Sequence, residues 1–271
     1  MKVSQLILKS TVSAFAALIV YCAATASTLF AAEPASTLTL VSYNVHNAIG
    51  LDGQTDFARI AKTLTALNPD VVAVQELDSR TERSKGLDVL EEIAKEAKMN
   101  ATFGPAIDYR GGKYGIGVLS KEKPLKSEYF PLPGREERRC LLTVEFERYV
   151  FCCSHWSLTK EDRDETVKIV TEKMKSAKKP VFIAGDFNAE PNEASIQALA
   201  KDWTILSADA PTFPANKPNI RIDYVCAADP TGEIAADAWK KAVVSARVVE
   251  EPVASDHAPI VVELSADVFK K

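Results

Sequence analysis

Lys178-Lys179-Pro180-Val181-Phe182-Ile183-Ala184-Gly185-Asp186-Phe187-Asn188 is the stretch on which the fold turns. Four apolar residues, Val181 to Ala184, stand between Pro180 and Gly185. A run this short, bounded in this way, reads as a buried strand rather than a helix. Side chains alternate along an extended chain, so Asp186 and Asn188 would leave that strand on one side. An acid and an amide placed together at the exit of a buried strand suit a ligand. They equally suit a turn, because Asp and Asn favour turns and Gly185 permits one. Other segments have to separate the two readings.

Many of those segments repeat the pattern. Thr37 to Asn44 alternates, with Leu38 and Leu40 on one face and Val41 and Tyr43 on the other. Asp56 to Leu67 carries Phe57, Ile60, Ala61, Leu64 and Leu67 at helical spacing, and Pro69 helps to stop it. Val71 to Val74 follows as a second buried strand, which completes a strand–helix–strand unit. Leu87 to Ala97, Glu161 to Met174 and Glu193 to Ala200 read as helices. Strands are expected at 116–119, 127–130, 141–146, 149–153, 222–226, 242–249 and 259–264, with a hairpin over Glu147-Arg148. Helices separate the early strands, and strands follow one another in the middle. Two packed mixed β-sheets with helices on the outer faces, an α/β arrangement, accommodate that order.

The N-terminus has a different character. Lys2 and Lys9 precede an apolar stretch from Val12 to Ala26, and small residues cluster at Ala31-Ala32. This is the pattern of a secretory signal peptide over residues 1–32, which leaves a domain at 33–271 in an exported protein. An uncleaved N-terminal anchor is the other reading. Lipidation at Cys22 is disfavoured by Tyr21, where a small residue is expected. No stop-transfer pattern follows, so the mature chain is not expected to insert in a membrane, and no protein partner is indicated. Loss of Lys2 and Lys9 leaves 31 basic against 37 acidic residues. That balance argues against strong non-specific DNA binding, although it leaves room for a local basic patch. Cys140, Cys152, Cys153 and Cys226 form no C-x-x-C pair, so a structural zinc site is not expected. Export permits a disulfide among them; buried free thiols are the alternative.

Polar residues gather where strands begin and end. Asn44 closes the first strand and Gln75-Glu76 the second; Ser154-His155 follows the hairpin. Arg221-Ile222-Asp223 opens a later strand, and Ser255-Asp256-His257 precedes the last. Each has an ordinary explanation: a turn for Asn44, a solvated acid for Glu76, a loop hydrogen bond for His155, a pairing with Arg221 for Asp223, a cap for Ser255-Asp256. Together they are chemically coherent, with carboxylates for a hard cation, amides and histidines for a phosphate, and a histidine beside an acid. Sites in α/β sheets form at strand ends, where loops converge on a rigid scaffold.

In their order these segments closely resemble the endonuclease/exonuclease/phosphatase superfamily. The resemblance rests on Ser42-Tyr43-Asn44-Val45, on Pro69-Asp70 through Gln75-Glu76, on Tyr114-Gly115-Ile116-Gly117-Val118-Leu119-Ser120 and on Ser154-His155. It continues through Gly185-Asp186-Phe187-Asn188, Arg221-Ile222-Asp223-Tyr224 and Ser255-Asp256-His257-Ala258-Pro259. It implies a four-layer α/β sandwich and metal-dependent cleavage of phosphoester bonds. By the same resemblance Glu76 is the main Mg²⁺ ligand (Mn²⁺ being possible), with Asn44 and Asp256 near the metal. His257 is then the general base, oriented by Asp223; Asp186 aligns or helps to activate the attacking water; Asn188 and His155 donate to phosphate oxygens. The chain departs from the abasic-site endonuclease pattern at Lys113-Tyr114, so the tyrosine role of those enzymes is not carried over.

Physical chemistry supports this division of labour. A phosphodiester repels anionic nucleophiles, and a cation on its oxygens lowers the barrier. Mg²⁺ prefers oxygen ligands and keeps several waters, so one or two carboxylates suffice. Histidine, with an ordinary pKa of about 6.5, is suited to proton transfer near neutrality. Extended alternation would set His46 beside Asn44, as a substrate contact or simply a loop histidine. Arg110, Lys113 and Arg139 are candidate phosphate contacts, or solvated loop charges. The expected substrate is a nucleic acid, a lipid headgroup or a small phosphodiester. No hydrophobic hairpin for lipid is evident, and Trp156 and Trp203 read as packing residues. A secreted binding module on the same fold, without catalysis, is the alternative.

Overall fold

β-branched and aromatic residues dominate the apolar runs, and their order along the chain builds two sheets. The computed structural model describes residues 37–270; the expected signal peptide, Cys22 and residues 33–36 lie outside them. In the first half come β1 (Thr37–Asn44), α1 (Phe57–Ala66), β2 (Val71–Ser79), α2 (Val89–Ala97), β3 (Asn100–Tyr109), β4 (Gly112–Ser120) and β5 (Lys126–Leu132). β6 (Arg139–Glu145), β7 (Val150–His155), α3 (Lys160–Met174), β8 (Val181–Asp186) and α4 (Ala194–Leu199) follow. The chain ends with β9 (Thr204–Ile205), β10 (Asp223–Ala228), α5 (Ala236–Ala242), β11 (Val243–Val248) and β12 (Ile260–Ser265).

One six-stranded sheet has the order β11-β12-β1-β2-β4-β3, and the other β5-β6-β7-β8-β10-β9. β1 and β2 run parallel, joined through α1, and β7 and β8 run parallel, joined through α3. A parallel pair needs such a crossover, whereas the antiparallel pairs β3/β4, β5/β6 and β6/β7 connect by short turns. The hairpin over Glu147-Arg148 forms as expected, with Glu145 opposite Val150.

Alternation decides which layer each residue joins. Leu40, Ala73, Val118 and Val262 face inward and meet Leu142, Cys153, Phe182 and Val225 of the other sheet. Their neighbours Val41, Val72, Val74 and Val261 face outward and are covered by Ile60 and Leu64 of α1 and Leu90 and Ile93 of α2. On the far side Ile183, Cys152 and Tyr224 lie under Val167 and Val170 of α3 and Ile196 and Leu199 of α4. The result is the expected four-layer α/β sandwich. All four described cysteines are free and buried, so the thiol alternative holds. Trp156 and Trp203 are buried, and Trp156 stacks on Phe187 with ring centroids 4.0 Å apart. No helix among the described residues is long and apolar enough to cross a membrane.

Three elements were not visible in the sequence. β3 carries Gly104 and Pro105, which weaken a strand signal, and Pro105 is accommodated because β3 lies at the sheet edge. The two-residue β9 and the seven-residue α5 are too short to display a period. One element also extends further than expected. β2 does not stop at Gln75-Glu76 but continues to Ser79.

Gly185 also has a different task from the one its sequence suggests. It lies inside β8 rather than ending it, directly opposite Ser154 of β7. A Cβ there would come within 1.8 Å of the Ser154 carbonyl oxygen, which is backbone and cannot rotate away. Gly185→Ala is therefore expected to destabilise the fold by about 3 kcal/mol, the upper end of ordinary overpacking. Urea unfolding of the variant measures this; an unchanged midpoint would show that β7 and β8 can separate freely.

Candidate active site

Register alone brings three of the expected residues together. His155 of β7 lies opposite Asp186 of β8, and Asp186 lies opposite Asp223 of β10. Residues paired across neighbouring strands project to the same face, so the three stand in one row. All are buried, with 6%, 2% and 2% of their surface exposed.

The opposing sheet reaches this row through Asn44, the last residue of β1. Its Nδ2 donates to Asp186 Oδ2 at 3.2 Å and to Glu76 Oε1 at 3.0 Å. The amide is held on its other side, where Oδ1 accepts from the His46 backbone N–H at 3.1 Å. Ser255 Oγ donates to the Asn44 carbonyl at 2.7 Å, which ties in the loop that carries His257. One fully buried amide thus spans two carboxylates from two sheets.

Glu76 owes its direction to a β-bulge. Val74 pairs with Gly117 and Leu77 with Gly115, so Gln75 and Glu76 together oppose Ile116. Glu76 takes a left-handed φ of 61°, costly for a residue with a Cβ and characteristic of bulges that re-aim a side chain. It is half-buried and makes no ion pair among the described residues. An acid held under strain beside a buried polar row, with no cation of its own, fits a hard divalent cation. Asp256, also half-buried, reaches this end of the site through Ser255: its Oδ1 lies 3.3 Å from the Ser255 Oγ that bonds the Asn44 carbonyl. Asn44 turns its nitrogen toward Glu76, so in this arrangement it positions the acid rather than offering an oxygen.

His257 lies between two acids. Its Nδ1 is 3.0 Å from Asp223 Oδ2 and its Nε2 is 3.5 Å from Asp186 Oδ2, while Phe213 packs against the ring at 4.8 Å. Thr212, which the sequence reading missed, donates to Asp223 Oδ2 at 2.5 Å and receives the Asp223 backbone N–H. Nothing local in the sequence marks that threonine. Asp223 Oδ1 is buried with no hydrogen-bond partner among the described residues. Ligand atoms of Asp186, Asp223 and His257 lie within 4.8 Å of one another and could converge on a cation. The imidazole already pairs with both acids, however, so a shared proton satisfies this trio.

Electrostatics separate the two histidines. Burial opposes a charge on His257, but the carboxylates of Asp223 and Asp186 outweigh it and raise its pKa to about 10. Burial raises Asp186 to about 7, with His257 pulling it down and Asp223 pushing it up. His155 moves the other way: burial, then the charges of Arg139 and His257, hold it well below the usual imidazole range. Arg139 donates to its Nδ1 at 3.2 Å.

The remaining expectations divide. Asn188 adopts φ 48° and does not continue the strand; its backbone N–H returns to Asp186 Oδ1 at 2.9 Å, and its Nδ2 donates to the Trp156 carbonyl at 3.0 Å. The turn and the site are therefore the same structure. His46 does not stand beside the Asn44 side chain by alternation, because residues 46–48 all take positive φ and its Nδ1 meets the Ile49 carbonyl at 3.2 Å. Arg110 lies over the Tyr109 ring at 5.3 Å and Lys113 pairs with Asp108; neither touches the polar row. Arg139 is buried beside His155 rather than solvated. Arg221 pairs with Asp209 at 2.9 Å and leaves Asp223 to His257.

Comparison with known proteins agrees with this architecture. Residues 41–257 match the model of the endonuclease/exonuclease/phosphatase family. Among solved structures, an endonuclease/exonuclease/phosphatase from Beutenbergia cavernae superposes with a TM-score of 0.69 at 24% identity, over 84% of this chain and 71% of that one. A mannosyl-6-phosphatase from Bacteroides thetaiotaomicron gives 0.61 at 19%, over 84% and 99%. The human Nocturnin catalytic domain, solved with a bound sulfate, gives 0.60 at 17%, over 84% and 94%. These similarities concern the fold. A search of curated proteins gave no match.

The charge arrangement predicts a particular pH dependence of stability. A histidine raised in the folded state adds stability that is complete below its unfolded pKa of about 6.5 and is lost as pH rises through the folded value. Asp186, whose pKa burial also raises, acts in the same sense at lower pH, between the ordinary carboxylate range and about 7, and contributes no further change above that. Stability should therefore fall as pH rises from about 7 to about 10, the folded pKa of His257. The fall should be weaker in Asp223→Asn, which removes the nearest acid. Urea titrations of both proteins across that range provide the measurement; identical slopes would mean that Asp223 does not hold the proton.

Proposed function

The chain belongs to the endonuclease/exonuclease/phosphatase family, and from that premise we propose that it is an exported, divalent-metal-dependent phosphoester hydrolase. The observation that carries the reading is the continuous polar chain from Glu76 through Asn44 and Asp186 to His257 and Asp223. It joins an acid without a cation partner to a proton-sharing pair, the two halves that hydrolysis of an anionic ester requires.

Glu76 and Asp256, with Asn44 beside them, are the residues proposed to hold Mg²⁺ or Mn²⁺. When bound, such an ion neutralises phosphate oxygens and stabilises the departing oxyanion. The chain's own residues supply the rest. A water held against Asp186 and His257 attacks phosphorus, and the bond to the departing oxygen breaks on the opposite side. Its proton passes to the Asp186–His257 pair. The raised pKa of His257 makes it an imidazolium at neutrality, which has no free nitrogen to accept a proton. Asp186, raised to about 7, is the member suited to accept one. This extends the part the family resemblance gave Asp186, from aligning or activating the water to accepting its proton, and leaves His257 as the charge that holds it in place. Asp223 orients the His257 ring, as expected. Neutral His155 and the half-buried Asn188 amide donate to the phosphate oxygens, where such donors each contribute about 3 kcal/mol.

The substrate is proposed only as a class, a nucleic acid or a smaller phosphoester. Export rests on the pattern of residues 1–32; a mature chain recovered outside the cytoplasm and beginning after Ala32 would support it.

Hydrolysis of bis-p-nitrophenyl phosphate should require Mg²⁺ or Mn²⁺ and stop on chelation. Asp186→Asn and His257→Ala should each lower kcat by about a hundredfold or more while circular dichroism stays unchanged. Glu76→Gln should raise the metal concentration needed for half-maximal rate. Failure to cleave any of DNA, RNA, sphingomyelin, phosphorylated inositols or simple aryl phosphates with either metal would instead indicate a binding module on this fold.

A further inference from the structure

The sequence offers Arg139 as a phosphate contact, yet its side chain is 7% exposed and engaged within the protein. Nη1 donates to His155 Nδ1 at 3.2 Å and to Glu137 Oε1 at 2.8 Å, and Nη2 lies 3.8 Å from Glu136 Oε1. A guanidinium has five N–H donors and no acceptor, and it keeps its charge at any pH the fold survives. The imidazole nitrogen facing it can only accept. His155 Nδ1 is therefore bare, and the single ring proton belongs on Nε2, which lies 3.5 Å from Asp186 Oδ2. A second proton at Nδ1 would set N–H against N–H in a buried space.

We infer that Arg139 is a positioning residue that locks His155 as the neutral tautomer with its proton on Nε2, fixing one hydrogen-bond donor toward the reacting centre. The purpose assigned to that donor rests on the phosphoester-hydrolase reading; the tautomer itself does not. The groups that face the ring come from three elements: Arg139 from β6, Asp186 from β8 and His257 from the segment before β12. Two of these are cations, and with burial they oppose a charge on His155. Neutrality serves the base. An imidazolium against Asp186 would compete with His257 for the same Oδ2 and make that carboxylate a poorer proton acceptor. Glu137, half-buried, offsets the charge of Arg139 without reaching His155.

The chain has three histidines, His46, His155 and His257, so nitrogen NMR of labelled imidazoles can be assigned with one His→Gln variant for each. In the metal-free wild type, His155 should show a bare Nδ1 and a protonated Nε2, without titrating between about pH 5 and pH 8. In Arg139→Met the ring should lose its single tautomer, with the proton shared between Nδ1 and Nε2, and Arg139→Lys, which keeps a charged donor, should restore the wild-type spectrum. A protonated Nδ1 or a titrating His155 in the wild type overturns the inference, and so does an Arg139→Met spectrum identical to the wild type. If Arg139→Met does not fold, the wild-type spectrum decides alone. No substrate enters the experiment, so absence of phosphoesterase activity would leave a correct tautomer standing, and a wrong tautomer would leave a measured activity standing.

Discussion

A single amide holds the two halves of this site in register. Asn44 ends a central strand of one sheet and donates to Asp186, which ends a central strand of the other. Packing between sheets is apolar and has little power to fix a lateral offset of a fraction of an ångström. A buried hydrogen bond has that power, because a shift leaves a polar group unsatisfied at a cost of about 1–3 kcal/mol. Asn44 is itself fixed by the His46 backbone and by Ser255, so the turn after β1 and the segment before β12 share the same anchor. That turn is strained, with three consecutive residues at positive φ. Asn47 in its middle accepts the Asp78 backbone N–H, binding the turn to the strand that bears Glu76.

The cluster works against stability. Asp186, Asp223, His155 and His257 are buried polar groups in a place that apolar residues could fill, and the Asp223 Oδ1 atom has no partner among the described residues. Uncompensated charge at such depth is expensive, which is why the acids and the imidazolium appear as a network rather than singly. The apolar layers on both faces of each sheet are what allow this cost. Fold and site are thus coupled in both directions: the core supports the polar row, and the row contributes alignment in return.

Much of this was legible in the sequence, for identifiable reasons. Short continuous apolar runs identified the inner strands, because burial on both faces leaves no polar alternation. Asp186, Asp223, His155 and His257 stood out because each lies at the end of such a run. What the sequence concealed depends on backbone geometry. The bulge that aims Glu76 counts one residue against two on separate strands, and neither strand records it. Asn188 was assigned to the side of Asp186 by alternation, but a left-handed turn broke the period and joined the two through the backbone instead. Arg139 looked like one loop arginine among several in Arg135-Glu136-Glu137-Arg138-Arg139; only tertiary packing singles it out. Thr212 contacts Asp223 across ten intervening residues, and no local pattern could have identified it.

The four buried thiols have a consequence of their own. Cys140 and Cys153 belong to the core between the sheets, and Cys152 and Cys226 to the core beneath α3 and α4. Burial pushes Cys153 and Cys226 up to about 12 and the other two higher still, so almost no reactive thiolate exists at neutrality. The described residues should be indifferent to the redox poise of their surroundings and need no oxidation to fold. Each core also carries its own silent label. A thiol reagent gains access only when the layers part, so the modification rate of each pair would report separately how often each core opens.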